Sequence, residues 1–459
     1  MPRSRRFASQ QWLFVLIGLC LFGSAQAEGL DRGAAVASED SLLHYYQAAL
    51  DRNANYRAAL ELYRAAAEAE PQALARLLPK IGLEGAYNRI RQEIDGEFFG
   101  IAEINETEYF DKYAYGVSLQ QPIYQRAALL GLDRAELAIG QARLRLTAER
   151  HELMLRTAEA YFGVLAAGYE LSFTRAEKEA IARQVEQTQG RFDSGIVAET
   201  DLLAVRAQLD SVKASEIEAE NALDIAQTRL EFISGQRPER IKTLNEVARL
   251  PALDPDRVEP WLARAQQHNT DVLAETVGLN LAEVDTDIAR AQRWPTLQLT
   301  GSHAYFDSDG GFEGARDDTD SRIGISLSVP LYEGGMVRSR VIEAQARQRA
   351  AAHQRDSAET QARLATRTAF LNTRAALARA DALVKAVDSA QAAEASAQIA
   401  FEVGSRTSAD YLAAVRERFR AQRDLARARY DYLLGLLRLR KAAGVLRMAD
   451  LEEMNRVLQ

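Results

Sequence analysis

The chain has 459 residues, a formal charge of −8, 47% hydrophobic and 27% charged residues, and a single cysteine. One thiol, Cys20, excludes a disulfide scaffold and a multi-cysteine metal site, and the apolar fraction excludes a disordered chain. The acidic balance speaks against nucleic acid as a partner, because phosphates call for a basic face.

The first element is a targeting segment. Arg3, Arg5 and Arg6 precede an apolar run from Trp12 to Gly23, and Ala25-Gln26-Ala27 supplies the small-x-small pattern of a signal-peptidase site. The run is shorter than a spanning helix, which needs about 20 residues. Leu19 precedes Cys20 where a lipobox needs Gly or Ala, so cleavage is expected after Ala27 and the mature chain has no cysteine. No later stretch is continuously apolar over a membrane-spanning length. That excludes a bundle of membrane helices, but not a β-barrel, whose alternating strands average out in hydropathy.

Ser41 to Leu77 reads as helix and ends at Pro79. Beyond it Ile81, Leu83, Gly85 and Tyr87 alternate with Gly82, Glu84 and Ala86. After an acidic stretch from Asn88 to Asp111, Tyr113, Tyr115, Val117 and Leu119 alternate with Ala114, Gly116, Ser118 and Gln120. Pro122 closes this strand pair. No proline follows until Pro238, and the stretch between is rich in strong helix formers. Gly195 divides it into arms of about 65 and 40 residues; the first would be roughly 100 Å long, too long for a compact domain, so the arms form an extended hairpin.

The same order then recurs. Leu78-Pro79 matches Trp294-Pro295 at an offset of 216 residues, Pro122-Ile123-Tyr124 matches Pro330-Leu331-Tyr332 at 208, and Gly195 and Asp201 match Gly404 and Asp410 at 209. Trp261 to Arg293 is the second short helical segment. Leu297, Leu299 and Gly301 open the third strand, Ile323, Ile325, Leu327 and Val329 form the fourth, and an acidic loop from Asp307 to Asp320 joins them. The chain thus divides into a signal peptide at 1–27, a first repeat at 28–235, a connector at 236–260 and a second repeat at 261–459. Strands are expected near 80–91, 112–121, 296–306 and 321–329, and long helices near 125–194, 200–234, 333–403 and 409–443. Pro79, Pro122, Pro295 and Pro330 mark the strand–helix boundaries, and Gly195 and Gly404 the tip turns.

Alternation alone also fits a half-buried soluble sheet. Three features favour lipid: long acidic loops, aromatic residues at both strand ends, and the signal peptide. Trp294, Tyr124 and Tyr332 lie on the helix side, and Tyr109, Phe110, Tyr305 and Phe306 on the loop side, as interfacial girdles require. Four strands cannot close a membrane barrel and lipid forbids open edges, so oligomerisation follows. Two copies would give eight strands and three would give twelve, and only the larger barrel leaves a lumen.

This arrangement resembles the TolC family of outer-membrane efflux proteins. The likeness covers nearly all of the expected mature chain. Its motif-level match lies in Gly195-Ile196-Val197-Ala198-Glu199-Thr200-Asp201 and Gly404-Ser405-Arg406-Thr407-Ser408-Ala409-Asp410. It implies a mainly α protein with a membrane β-barrel: a homotrimeric 12-stranded barrel continued by an α-helical periplasmic tunnel. It also implies partners, namely a periplasmic adaptor, an inner-membrane ABC or proton-driven transporter, and outer-membrane lipid. The function implied is an outer-membrane channel of a tripartite export system, for type I protein secretion or small-molecule efflux. The alternative is a structural periplasmic coiled coil or adaptor without a pore.

Four residues carry over from the family's periplasmic gate. Arg406 matches the tip arginine of the second repeat, and Asp201 its aspartate partner. Asp410 matches the first of two aspartates at the constriction, while the second falls at Ala413. Phe401 stands where the family has a tyrosine whose hydroxyl bonds the tip aspartate, a bond that phenylalanine cannot make. These departures imply a gate with fewer polar latches. Without the family, Asp201 and Asp410 read equally as caps of the return helices.

No enzyme is expected. There is no His-Glu-x-x-His, Gly-x-Ser-x-Gly or Gly-x-x-x-x-Gly-Lys pattern, and Asp307-x-Asp309-Gly310 lacks the remaining spacing of a calcium loop. No cofactor or metal is expected either.

Overall fold

A computed structural model describes residues 41–98, 102–238, 241, 250–311 and 314–458. The expected signal peptide and part of the connector lie outside the described residues. Helices α1 (Leu42–Arg52), α2 (Ala54–Ala67) and α3 (Ala69–Ala75) lead to Pro79, where the sequence suggests one helix. Asn53 causes the first break: it ends α1 and caps α2, its Oδ1 accepting from the N–H groups of Asn55 and Tyr56 at 3.1 Å. In the second repeat Asn269 does the same between α6 (Val258–His268) and α7 (Thr270–Ala291). Asparagine suits this role because its short side chain satisfies the first free amides of a helix.

Strands β1 (Lys80–Phe98), β2 (Ala102–Tyr124), β3 (Thr296–Ser308) and β4 (Arg316–Ser328) form one antiparallel sheet in the order β1-β2-β3-β4. The first hairpin is much longer than the expected strands at 80–91 and 112–121. Its ladder continues through Asp95 opposite Asn105 to Phe98 opposite Ala102. The acidic stretch 88–111 is therefore the upper half of a hairpin rather than a loop, and the second loop shortens to the residues between Ser308 and Arg316. Charge disfavours burial but not backbone pairing, so strands that project into water lose the apolar alternation that marks them in lipid. Pro122 is also not the boundary expected: it lies inside β2, at a register irregularity between Pro122 and Tyr124. Pro79, Pro295 and Pro330 lie just outside the strands.

The long hairpins are α4 (Arg126–Asp193) with α5 (Glu199–Ser234), and α8 (Met336–Glu402) with α9 (Ser408–Ala442). Their buried residues follow coiled-coil spacing. On α5, Leu202, Val205, Val212 and Ala219 are buried with the partly buried Leu209 among them, at spacings of three, four and seven. The facing seam of α4 is partly polar, with Thr174, Glu177, Gln184 and Thr188 buried. Thr157, Thr174 and Thr373 stay satisfied inside these seams by donating to the carbonyl four residues back at 2.7–2.9 Å.

The main core lies where the short helices meet the long ones. Tyr46 of α1, Tyr161 and Phe162 of α4, Trp261 of α6 and Leu433 and Leu437 of α9 are almost fully buried. A further helix, α10 (Met448–Val457), adds Leu451 and Met454 to this core and was not foreseen from the sequence. A second cluster of Ile181, Val205, Val212 and Leu412 holds the hairpins together nearer their tips.

Candidate channel wall and tunnel tip

Strand register decides which side chains share a face. Ile81 and Leu83 pair with Leu119 and Val117, Leu119 with Gly301, and Gly301 with Ile323, so the apolar residues of all four strands form one band. Leu83 is 79% and Ile323 82% exposed. A contiguous apolar surface of this kind does not stand in water. The opposite face carries Gly82, Ser118, Ser302, Gly324 and Ser326. Such side chains leave room and accept water. The outer edges of β1 and β4 have no strand partner among the described residues.

Two cross-strand tyrosine pairs line the upper margin of the apolar band, Tyr87 with Tyr113 at 5.0 Å and Tyr115 with Tyr305 at 5.1 Å between ring centres. Tyr109 shares their face. Phe110 and Phe306 do not: the register puts them on the small-residue face, because neighbours in a strand point opposite ways. On the helix side Trp294 and Tyr332 are exposed.

At the far end, each hairpin turns through a glycine with positive φ, Gly195 at +72° and Gly404 at +77°. After Gly195 the Ile196 N–H donates back to the Arg191 carbonyl at 2.8 Å, and after Gly404 the Ser405 N–H donates to Ala400 at 2.9 Å. Only glycine takes this left-handed conformation without strain, and it lets the last carbonyls of the long helix find donors.

The capping reading divides between the two aspartates. Thr407 caps α9 and Asp410 completes a capping box, with Asp410 N–H donating to Thr407 Oγ1 at 3.3 Å and Thr407 N–H donating to Asp410 Oδ2 at 3.1 Å. The Thr407 hydroxyl, donating to Asp410 Oδ2 at 2.9 Å, and the Thr407 N–H, helped by the charge of Arg406, hold the Asp410 carboxyl below its usual range. In the first repeat the N-cap is Ala198, without a side-chain cap bond, and Asp201 is exposed in the first turn. Arg406 is exposed too, and among the described residues neither Arg406 nor Asp201 forms an ion pair.

Phe401 is 6% exposed, its ring stacked on Tyr411 at 5.9 Å and under the Arg191 guanidinium at 4.4 Å. Arg191 and Tyr411 join α4, α8 and α9 at the tip, a contact that sequence reasoning missed. The signal is the aromatic at 401, which needs a cover once it has no hydroxyl. Deeper in the tunnel wall, burial pushes the Glu177 carboxyl up, against the pull of Arg423 and Arg416. The Asp309 carboxylate, just after β3, accepts from the Asp111 N–H of β2 at 2.6 Å. Among the described residues no group of side chains could hold a metal, and no helix is long and apolar enough to cross a membrane.

The family model for outer membrane efflux proteins matches residues 45–236 and 261–445, one match to each repeat. The chain belongs to the outer membrane efflux protein family. It is 33% identical to outer membrane protein TolC of Escherichia coli over 456 residues, covering 97% of this chain and 88% of that protein. It is 30% identical to the alkaline protease secretion protein AprF of Pseudomonas aeruginosa over 450 residues, 96% of this chain and 89% of that one. The solved CmeC outer membrane channel of Campylobacter jejuni has the same fold, with a TM-score of 0.76 at 18% identity over 91% of this chain and 90% of that one. Family members are outer-membrane channels, transporters rather than enzymes. This chain is accordingly a channel of the outer membrane with a periplasmic helical tunnel, and the reading as a coiled coil without a pore falls away.

Proposed function

We propose that three copies assemble into a duct that a periplasmic adaptor and an inner-membrane transporter, ABC-type or proton-driven, use to move substrates out of the cell. The observation that carries this is the four-stranded sheet with an apolar face, a small polar face and two open edges. Pairing β4 of one protomer with β1 of the next removes every edge and turns the polar face inward. Polypeptide secretion is favoured by the similarity to AprF, which runs through both repeats. Energy comes from the transporter. Heat-modified migration as a trimer and extraction only with detergent test the assembly; a monomer soluble without detergent would overturn it.

In this assembly Asp201, Phe401, Arg406 and Asp410 form the periplasmic gate. Asp201 and Arg406 are exposed and form no ion pair among the described residues, so they are available to each other across neighbouring coils. A partly exposed pair of this kind contributes about 0–1 kcal/mol, so Arg406→Ser should shift the open-to-closed ratio by up to about fivefold per latch. Single-channel recordings in bilayers should show higher conductance, and an unchanged trace would remove Arg406 from the gate.

Three Asp410 carboxylates around one axis attract cations. Asp410→Ala should weaken cation selectivity and block. Because Thr407 holds the carboxyl below its usual range, block in the unaltered protein should persist as pH falls through the ordinary aspartate range and fade only below it. Block that fades within the ordinary range, or survives in the alanine variant, would place the constriction elsewhere.

A further inference from the structure

At the outer end of the sheet one large side chain is hidden where the wall should be open. Tyr109 and Asp111 point to the apolar side, and the Tyr87 hydroxyl donates to Asp111 Oδ1 there at 3.0 Å. Phe110, between them, points to the small-residue side, yet it is only 5% exposed. Its cover is the turn that follows β3. A β-carbon built on Gly310 or on Gly311 would lie 2.8 Å from Phe110 atoms, so two glycine backbones rest on this side chain, and Gly311 has φ +99°.

Polar contacts hold the turn in that place from both sides. The Gly311 N–H donates to Glu108 Oε2 at 2.9 Å, and the Asp111 N–H donates to Asp309 Oδ1 at 2.6 Å. Ser308 Oγ donates to the Gly310 carbonyl at 2.9 Å, and the Lys112 ammonium lies 5.2 Å from the Phe110 ring centre. Glu108, Phe110, Lys112 and Ser308 are all on the small-residue face by register. Residues 309–311 therefore lie inward, against the small-residue face of the wall.

We propose that residues 309–311, just after β3, are a collar strapped to the inner wall at the outer mouth, and that Glu108 and Phe110, by anchoring it, set the size of solute that can enter from outside. The inference rests on the small-residue face being the lumen wall. Three copies place three collars around one axis, above the polar wall and far from the helical tips. The collar admits small molecules and excludes bulky ones independently of the periplasmic gate.

The test is a single thiol below the collar. Ser302 lies on the lumen face, six residues or about 20 Å along β3 from Ser308. Cys20 belongs to the leader expected to be removed, so Ser302→Cys supplies one reporter. Intact cells are treated with a small membrane-impermeant maleimide and with the same group on a bulky polymer. The small reagent should label and the polymer should not. Glu108→Ala removes a charge-assisted anchor, which should raise the fraction of time the collar is released, and with it polymer labelling, by about tenfold. Phe110→Ala should act in the same direction by removing the packed ring, with trimer yield checked in both. Equal labelling by both reagents in the unaltered collar, or no gain in either variant, would overturn the collar alone. Failure of the small reagent would overturn the lumen assignment, and the collar with it.

Discussion

Ile323→Arg should abolish the assembled trimer, while Ser326→Arg on the same strand should leave it assembled and alter conduction. Ile323 is 82% exposed on the apolar face, level with Ile81 and Leu119. An arginine at mid-membrane on a barrel's lipid face costs about 2–4 kcal/mol, and three copies bring this to roughly 6–12 kcal/mol per trimer. That is comparable to the whole stability of a typical domain, about 5–15 kcal/mol. Ser326 pairs with Gln298 on the other face, where a long cation finds water and only narrows the lumen. Trimer yield by heat-modified migration and bilayer conductance read the two effects. Intact Ile323→Arg trimers would show that this face does not meet lipid.

Gly444→Ala should be the most damaging single-methyl change in the tunnel. Gly444 closes α9 with φ +72°, and a β-carbon there would lie 2.5 Å from the Asn269 nitrogen and inside the His268 carbonyl. Asn269 also donates from Nδ2 to the Ala442 carbonyl at 2.9 Å while capping α7. One methyl would therefore separate the end of α9 from the start of α7. Left-handed strain of about 1–2 kcal/mol and loss of a cap worth about 0.5–2 kcal/mol, with the backbone clash, bring the expected cost to about 3–5 kcal/mol. Gly404→Ala is the control. Its φ is +77° but nothing lies within 4 Å, so only the strain of about 1–2 kcal/mol applies. Thermal dissociation of the trimer should fall far more for Gly444→Ala, and equal losses would show that the α7–α9 contact contributes little.

The features written in local pattern were legible. Residues in the lipid band alternate because one face meets hydrocarbon, and the long helices show as proline-free stretches ended by Gly195 and Gly404. The features that depend on a partner in space were not. Asn53 and Asn269 break helices whose flanking residues all favour helix, so propensity hides the break and only the 216-residue offset between the two asparagines would have exposed it. The upper part of the first hairpin carries acids that read as loop, although paired backbone does not require apolar side chains. Phe110 and Phe306 were placed in a girdle by proximity in sequence, and two-residue alternation sends them inward. At the tip Phe401 was read for the hydroxyl it lacks. The ring's contacts with Arg191, 210 residues upstream, and with Tyr411 cannot be seen along the chain.

The strand order has a kinetic consequence. β1 with β2 and β3 with β4 are hairpins of near neighbours, but β2 meets β3 across almost 200 residues, from Lys112 to Ser308. Closing so long a loop is slow, and it must wait until both hairpins have crossed the inner membrane. Until then the chain carries two separate hairpins with four unpaired edges and an apolar face, a species that aggregates unless something holds it. The linkage that joins the two repeats into one wall thus forms after both hairpins, and its closure sets how long the newly exported chain carries exposed strand edges.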